Sequence, residues 1–136
     1  MSATEADVVV DRSVFDGLLD MDDDPVEREF SKDIAVQYCQ QTKGTLVDIQ
    51  LALRSNDIDS LGRLGHFQKG SSSALGLRKV QSTCEQIQNL GRRVDKDGNA
   101  LLLSDAEILA HLSRLVAELF AVNREAENWL KEFYKM

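Results

Sequence analysis

A histidine followed closely by a lysine and a glycine is the part of the sequence best suited to chemistry. His66 lies among glycines and serines in the stretch LGRLGHFQKGSSSALG, residues 61–76. In a helix Lys69 and Gly70 would share its face, because positions i+3 and i+4 lie beside position i. Imidazole offers an unprotonated nitrogen near neutral pH and can attack an acyl phosphate without a separate base. The H-x-x-K-G spacing therefore indicates a reversible phosphoryl carrier.

Lys69 and Gly70 have different expected roles at such a site. The lysine would offset charge on the phosphoryl oxygens, and the glycine would leave the helix flank open to a partner's active site. Phosphoryl transfer asks mainly for alignment and charge compensation, so a small site suffices if another protein supplies the rest. A histidine taken alone is more often an exposed helical residue beside a turn, so the interpretation depends on the surrounding residues.

Three segments of the sequence resemble histidine-containing phosphotransfer (HPt) proteins, and together they resemble the fungal osmosensing branch of that family. They are MDDD followed by FSKDIAVQ, then LGHFQKGSSSALGL, then CEQIQNLGR. The resemblance implies that Gln88 hydrogen-bonds the imidazole and that Arg92 is a basic residue near the phosphohistidine. The candidate catalytic residues are His66, Lys69, Gly70, Ser71, Gln88 and Arg92.

The same resemblance implies that His66 takes a phosphoryl group from a receiver-domain aspartate of a hybrid sensor histidine kinase and passes it to an aspartate of a downstream response regulator. Mg²⁺ is then expected in the partner receiver domain, and this chain is expected to bind no cofactor or metal of its own. It also has no G-x-x-x-x-G-K-[ST] loop and no kinase signature, so we expect no ATP binding and no autophosphorylation.

A partner-facing surface is predicted near the N-terminus. Leu18, Phe30 and Ile34 are apolar, lie on segments that the resemblance places beside His66, and are not needed for the main core stripe of their helix. Gln37 and Gln41 would supply part of its polar rim, with Asp22 and Asp23. The full set of candidate partner-binding residues is Val14, Phe15, Leu18, Met21, Phe30, Ile34, Gln37, Gln41 and Leu64. The alternative is that Phe30 and Ile34 only cover the N-terminal helix, or that Ile34 belongs to the core.

Length and composition indicate one small acidic domain. The chain has 136 residues and is 43% hydrophobic, enough for a single core, and we predict one domain over residues 1–136 with residues 1–10 flexible. A net charge of -7 argues against nucleic-acid binding and favours protein partners. Cys39 and Cys84 fit buried free thiols. No signal peptide or membrane-spanning run is visible, so we expect a protein of the cytoplasm and nucleus with no membrane association. We also expect a monomer.

Hydrophobic spacing predicts an all-α fold. A short helix is expected from about Asp11 to Leu19 and a long one from an Asp24 cap, with Pro25 at its first turn, towards Asn56. The core stripe of the long helix is expected to be Ala35, Cys39, Thr42, Leu46, Ile49 and Leu53.

Three further helices should follow. One begins after Asp57 and carries His66, and the next runs from Leu77 to a C-cap at Gly91. The last starts at a capping box of Ser104 and Glu107. These elements indicate an antiparallel four-helix bundle with an additional short N-terminal helix.

Several other patterns are better explained without a functional site. The adjacent carboxylates at 22–24 point in different directions, and VDKDGN at 94–99 lacks the glutamate of a calcium loop, since Ala106 falls there; we predict a cap and a turn. His111 lacks the lysine and glycine that accompany His66. Two rival functions remain: a helical adaptor that binds receiver domains without phosphotransfer, and a kinase phosphoacceptor domain. The latter predicts an acidic residue where Phe67 stands and an attached ATPase domain.

Overall fold

The computed structural model describes residues 8–136, and within that range the chain folds into five α-helices. They are α1 (Arg12–Leu19), α2 (Glu29–Arg54), α3 (Ile58–Ser73), α4 (Arg78–Gly91) and α5 (Asp105–Tyr134). Helices α2 to α5 form an antiparallel four-helix bundle, and α1 is the additional short helix, so the predicted fold class is confirmed.

The segment just before α1 packs against the bundle and is hydrogen-bonded to it. Residues 1–7 of the stretch predicted to be flexible lie outside the described residues. Val10, the last residue of that stretch, is only 4% exposed and packs into the core. Next to it the Asp11 backbone N–H donates to the Gly76 carbonyl at 2.7 Å, and the Asp11 carboxylate pairs with Arg78 at 2.6 Å. Val10 is therefore packed against the bundle, and flexibility of residues 1–10 stays a prediction.

Helix α1 packs against the end of α5 through aromatic rings. Phe15 is fully buried and meets Trp129 and Phe133 edge to face, with ring centroids 5.0 Å apart in both pairs. Leu18 lies on the same inward face and is also buried. These two residues were predicted to face a partner and instead anchor α1, because a short helix needs tertiary packing to be stable.

Helix α2 begins later than predicted. Asp24 does accept backbone N–H bonds from Val26 and Glu27, yet it caps only a short turn. Arg28 adopts a left-handed φ of 51°, which interrupts the helical path before Glu29. The N-terminus of α2 is capped instead by Asp22, whose carboxylate accepts from the Ser31 backbone N–H at 2.8 Å and from its hydroxyl at 2.6 Å. This capping role takes Asp22 out of the predicted polar rim.

The core face of α2 is rotated relative to the prediction. Its buried residues are Ser31, Ala35, Tyr38, Thr42, Thr45, Ile49 and Ala52. Cys39, Leu46 and Leu53 are only half-buried at the edge of this face. The rotation is possible because the polar group of Tyr38 finds partners inside the bundle.

A buried hydrogen-bond network joins α2, α3 and α5 around Tyr38. The Tyr38 hydroxyl donates to Asn123 Oδ1 at 2.6 Å, and Gln68 Nε2 donates to the Tyr38 oxygen at 3.1 Å and to Thr42 Oγ1 at 2.9 Å. Asn123 Nδ2 in turn donates to Glu127 at 2.7 Å. Burial raises the pKa of Tyr38 far above its usual range, so the phenol remains a donor. The network fixes the rotation of α3 relative to α2.

Helices α3 and α4 approach each other where both carry glycine. A Cβ added at Gly91 would lie 2.3 Å from the Cα of Gly62, a separation that no real Cβ contact allows. Gly91 was predicted to be a C-cap, but the left-handed residue at the end of α4 is Arg93, with a φ of 58°. Gly91 is therefore required for close helix packing rather than for the turn.

The start of α5, the turn after α4 and the two cysteines were also predicted from the sequence. The capping box of Ser104 and Glu107 is present at the start of α5. Asp95 accepts from the backbone N–H groups of Asp97 and Asn99, which confirms the turn. Both cysteines are free, and burial raises the pKa of the Cys84 thiol to about 12. Cys84 is buried as predicted, whereas Cys39 is only half-buried.

The buried network makes a prediction for stability. Tyr38→Phe should lower the free energy of unfolding by about 1 to 3 kcal/mol, because it leaves Asn123 Oδ1 buried without its donor. Chemical denaturation of the variant and the wild type measures the difference.

Gln68→Leu is the control for this prediction. The loss of its two donated hydrogen bonds should destabilise the protein, partly offset because the Gln68 carbonyl oxygen is buried without a hydrogen-bond partner among residues 8–136. In a Gln68→Leu background, Tyr38→Phe should cost less than in the wild type, because one of the two lost contacts is already absent. Fully additive losses would contradict a coupled network.

Candidate functional site

The imidazole of His66 is exposed on α3 and held from one side by a buried glutamine of α4. Nδ1 of His66 lies 2.8 Å from Oε1 of Gln88, and Gln88 is only 7% exposed. A carbonyl oxygen only accepts hydrogen bonds, so this contact places the ring proton on Nδ1. The lone pair of Nε2 is then left free and directed away from Gln88.

Glycines determine how Gln88 comes within reach of His66. Gly65 precedes the histidine, and a Cβ at that position would lie 3.1 Å from the backbone nitrogen of Gln88 and 3.0 Å from Ile87 Cγ2. One turn earlier, Gly62 contacts Gly91 in the same way. The two helix backbones are therefore close enough for one glutamine side chain to span the gap. Gly62, Gly65 and Gly91 therefore support the site by allowing this close approach.

Lys69 lies one turn after His66 at the edge of the α3–α4 pair. Its Nζ is 3.4 Å from Glu85 Oε1, and both side chains are partly exposed. Exposed ion pairs contribute little free energy in water, so the ammonium can exchange this carboxylate for another anion at small cost. Lys69 lies on the same helix as His66, and its role at the site stays a prediction.

Gly70 faces open space, whereas the hydroxyl of Ser71 bonds to its own helix. A Cβ at Gly70 would have no atom within 4 Å, so this residue faces open space. Ser71 is half-buried, and its hydroxyl donates to the Phe67 carbonyl at 3.4 Å, one turn back. The hydroxyl of Ser71 therefore hydrogen-bonds within its own helix.

An open depression lies beside His66 between the start of α3 and the end of α4. It is lined by Asp59, Gly62, Arg63, His66, Gly91, Arg92 and Arg93. Arg92 is the exposed cap residue of α4 and was expected near the histidine. Arg63 and Asp59 were not identified from the sequence, although Arg63 stands three residues before His66 and shares its helix face.

The predicted partner-binding residues separate into exposed and buried groups. Val14, Met21, Phe30, Gln37 and Gln41 are exposed, and Ile34 and Leu64 are half-buried. Phe15 and Leu18 are buried and unavailable, as described above.

Phe67 is an exposed aromatic residue directly after His66, and sequence reasoning did not include it in the partner-binding set. Phe67 lies outside the apolar stripe of Ile58, Leu61 and Leu64, and this position could have indicated that it is exposed.

The described part of the chain does not support a metal site, a second oriented histidine or a membrane-spanning helix. Among residues 8–136 there is no group of three or more His, Cys, Asp or Glu arranged to hold a metal ion. His111 lies 3.0 Å from an Arg114 nitrogen, without the glutamine that orients His66. No helix within the described range combines the length and apolar character needed to cross a membrane.

Comparison with known proteins agrees with this geometry. Multistep phosphorelay regulator 1 of Schizosaccharomyces pombe is 42% identical over 127 residues, covering 93% of this chain and 43% of that protein. Phosphorelay intermediate protein YPD1 of Saccharomyces cerevisiae is 38% identical over 88 residues, covering 64% of this chain and 52% of that protein. The chain thus spans about half the length of the curated relatives it matches.

Solved structures show the same fold. The crystal structure of yeast Ypd1p superposes with a TM-score of 0.82 at 24% identity and covers 98% of this chain and 99% of that one. The co-crystal structure of Saccharomyces cerevisiae Ypd1 with the receiver domain of its downstream response regulator Ssk1 gives a TM-score of 0.83 at 25% identity, with the same coverage.

A family profile gives the assignment. The profile described as Hpt domain matches residues 33–122, which is more than half of the chain and includes His66, Lys69 and Gln88. Together with the relatives and the shared fold, this match confirms the resemblance seen in the sequence: the chain belongs to the family of Hpt domain proteins.

Proposed function

We propose that this chain is a phosphorelay intermediate. His66 accepts a phosphoryl group from a receiver-domain aspartate of a hybrid sensor histidine kinase and donates it to an aspartate of a downstream response regulator. The observation that carries the proposal is the 2.8 Å contact between His66 Nδ1 and Gln88 Oε1, which leaves Nε2 as the ring nitrogen not used by Gln88 on an exposed side chain. The printed descriptions of the relatives, phosphorelay regulator and phosphorelay intermediate, support the same reading.

The chemical step needs only one nucleophile from this chain. The lone pair of His66 Nε2 attacks the phosphorus of an aspartyl phosphate, the N–P bond forms, and the P–O bond to the aspartate breaks. The aspartate leaves as a carboxylate, while Nδ1 keeps its proton and its bond to Gln88. Transfer onward is the reverse reaction with a second aspartate, so no proton has to be moved between the partners.

Charge compensation would come from both proteins. Lys69 lies one turn after His66 and exchanges Glu85 for the phosphoryl oxygens, and Arg92 borders the depression on the other helix. The Mg²⁺ that phosphoryl transfer requires would be supplied by the receiver domain. This chain then contributes the acceptor nitrogen and cations but no nucleotide site.

The docking surface proposed for the receiver domain joins α1, α2 and α3. Its apolar members are Val14, Met21, Phe30, Ile34, Leu64 and Phe67, with Gln37 and Gln41 at the rim. A yeast Ypd1 structure contains a receiver domain, which supports a partner of this class. The proposal further includes one domain acting as a monomer in the cytoplasm and nucleus, in signalling of osmotic stress.

The adaptor hypothesis is less well supported by the site. An adaptor would not need an oriented imidazole, yet a buried glutamine fixes His66 and a lysine lies one turn away. The kinase phosphoacceptor hypothesis is not favoured either, because Phe67 occupies the position after the histidine.

His66→Gln should abolish phosphoryl acceptance and leave the bundle folded, because the side chain is exposed and contributes little packing. Incubation with a phosphorylated receiver domain, followed by detection of acid-labile phosphate on this chain, measures acceptance. His111→Gln is the control and should accept phosphate normally. Persistent acid-labile phosphate on the His66→Gln protein would refute the assignment of the acceptor.

Lys69→Ala should slow phosphoryl transfer by about tenfold, since the cation is proposed to act on charge in the transition state. Receiver affinity should change little. Rapid-mixing kinetics at several receiver concentrations separates the two effects.

Lys79→Ala is a matched control, because Lys79 also bridges two helices and pairs with a glutamate, Glu125, at 3.0 Å. This control should transfer at the wild-type rate. Equal losses of rate and affinity for Lys69→Ala would make Lys69 a docking residue instead.

Ile34→Ala should weaken receiver binding by roughly 1 to 2 kcal/mol, the usual range for a substantial interface contact. Titration with receiver domain and chemical denaturation of the same variant distinguish docking from core packing, because a core residue would cost about 2 to 5 kcal/mol of stability. Val47→Ala is the control on α2, since Val47 is exposed and outside the proposed surface. A large stability loss with unchanged receiver affinity would contradict the docking role.

A further inference from the structure

The depression beside His66 holds positive charge that the proposed transfer does not yet explain. Three arginines border it, Arg63 from α3 and Arg92 and Arg93 from the end of α4. One carboxylate, Asp59, also borders it. The chain as a whole has a net charge of -7, so a concentration of cations next to the proposed acceptor is unexpected from composition.

Arg93 is already neutralised by its neighbours. Its guanidinium contacts Asp59 at 3.0 Å and Asp105 at 3.4 Å. The hydrogen bonds that Arg93 donates to these two carboxylates, that to Asp59 first, hold its pKa above the usual range. Asp59 is the carboxylate that Arg93 shares with the depression, and it forms no ion pair with Arg63 or Arg92 among residues 8–136. Arg93 serves to connect the start of α3 to the start of α5.

Arg63 and Arg92 remain without a carboxylate contact in the described part of the chain. Among residues 8–136 neither forms an ion pair. Two arginines from two helices therefore line one open depression together with His66. Planar guanidinium groups with several N–H donors match the oxygens of a phosphoryl group.

Arg63 is held in place by the cap of its own helix. Its Nη2 donates to the Ser60 hydroxyl oxygen at 2.9 Å, and that hydroxyl donates to Asp57 Oδ2 at 2.6 Å. The hydrogen bonds from Ser60, and to a lesser extent the charge of Arg63, lower the pKa of Asp57. Only one of the Arg63 nitrogens is used in this way. Its other N–H groups stay available. Arg63 lies three residues before His66, and Lys69 lies three residues after it.

We propose that Arg63 and Arg92 form a phosphoryl cradle that binds the phosphoryl oxygens once Nε2 of His66 is phosphorylated. The inference rests on the proposed function and adds Arg63, to which the family resemblance gives no role. Arg63 contacts the phosphoryl group from the N-terminal side of His66, and Lys69 contacts it from the C-terminal side. The carried group is then bordered by cations from both directions along α3.

The test needs no partner protein. Phosphoramidate transfers its phosphoryl group to imidazole nitrogen with release of ammonia, so it can phosphorylate His66 in the full chain. Phosphorus NMR of the product against pH then gives the pKa of the last phosphoryl ionisation. A nearby cation favours the dianion, so Arg63→Gln should raise this pKa by roughly 0.3 to 0.7 pH unit, the shift expected for one exposed charge pair.

Two variants control for charge and for the guanidinium. Arg63→Lys keeps the charge and should leave the phosphoryl pKa close to the wild-type value. Arg124→Gln removes the same charge from an exposed position on α5, outside the depression, and should leave it unchanged. A shift shared by Arg63→Gln and Arg124→Gln would reflect net charge alone and would overturn the cradle.

Two further outcomes overturn the cradle while leaving the proposed function intact. If Arg63→Gln lowers the free energy of unfolding and leaves the phosphoryl pKa unchanged, Arg63 only supports the Ser60–Asp57 cap. If it weakens receiver binding with the phosphoryl pKa unchanged, Arg63 is a docking residue. Failure of wild-type His66 to accept phosphate from both phosphoramidate and a phosphorylated receiver would instead overturn the proposed function and the cradle together.

Discussion

The contact of α3 with α4 through glycine is the constraint on which the site depends. Packed helices normally keep their axes about 8 to 10 Å apart because side chains lie between them. At Gly91 there is no room for even one methyl group, since an added Cβ would lie 2.3 Å from the Cα of Gly62, and at Gly62 an added Cβ would lie 3.0 Å from the Cα of Gly91. Gly65 continues the close approach by one turn, and His66 follows it. The packing of these glycines thus sets the 2.8 Å contact between His66 and Gln88.

The opposite side of α3 is held by polar rather than steric contacts. Gln68 points into the bundle and bonds Tyr38 and Thr42, while Phe67 and His66 point outward from the same turn. Helix α3 is therefore fixed on two sides and can present an exposed imidazole without losing its orientation. Exposure is what a carrier that meets two different partners requires, and the fixed rotation reduces the ordering needed at each encounter.

Sequence reasoning succeeded where the signal was local. The capping box at Ser104 and the amphipathic patterns that mark the helices depend on residues within one or two turns. It failed where a distant contact decided the outcome. Asp24 and Pro25 resemble a helix start, but the left-handed Arg28 and the cap from Asp22 move the start to Glu29.

The same difference between local and distant contacts explains which site residues could be predicted from the sequence. Phe15 and Val14 are adjacent in the sequence, and only the aromatic rings of α5 decide that the former is buried. Gln88 was assigned from the family resemblance, because no spacing rule connects it to a histidine 22 positions away. Arg63 could have been found from its i−3 spacing to His66, yet its significance depends on Arg92, which comes from another helix.

The central claim is that Gln88 holds the Nδ1 proton so that Nε2 carries the phosphoryl group. The most direct measurement is heteronuclear NMR of the protein labelled with ¹⁵N at histidine and phosphorylated by a receiver domain. We expect a proton on Nδ1 of His66 before transfer and phosphorus coupling to Nε2 afterwards. Coupling to Nδ1, or to a nitrogen of His111, would contradict it.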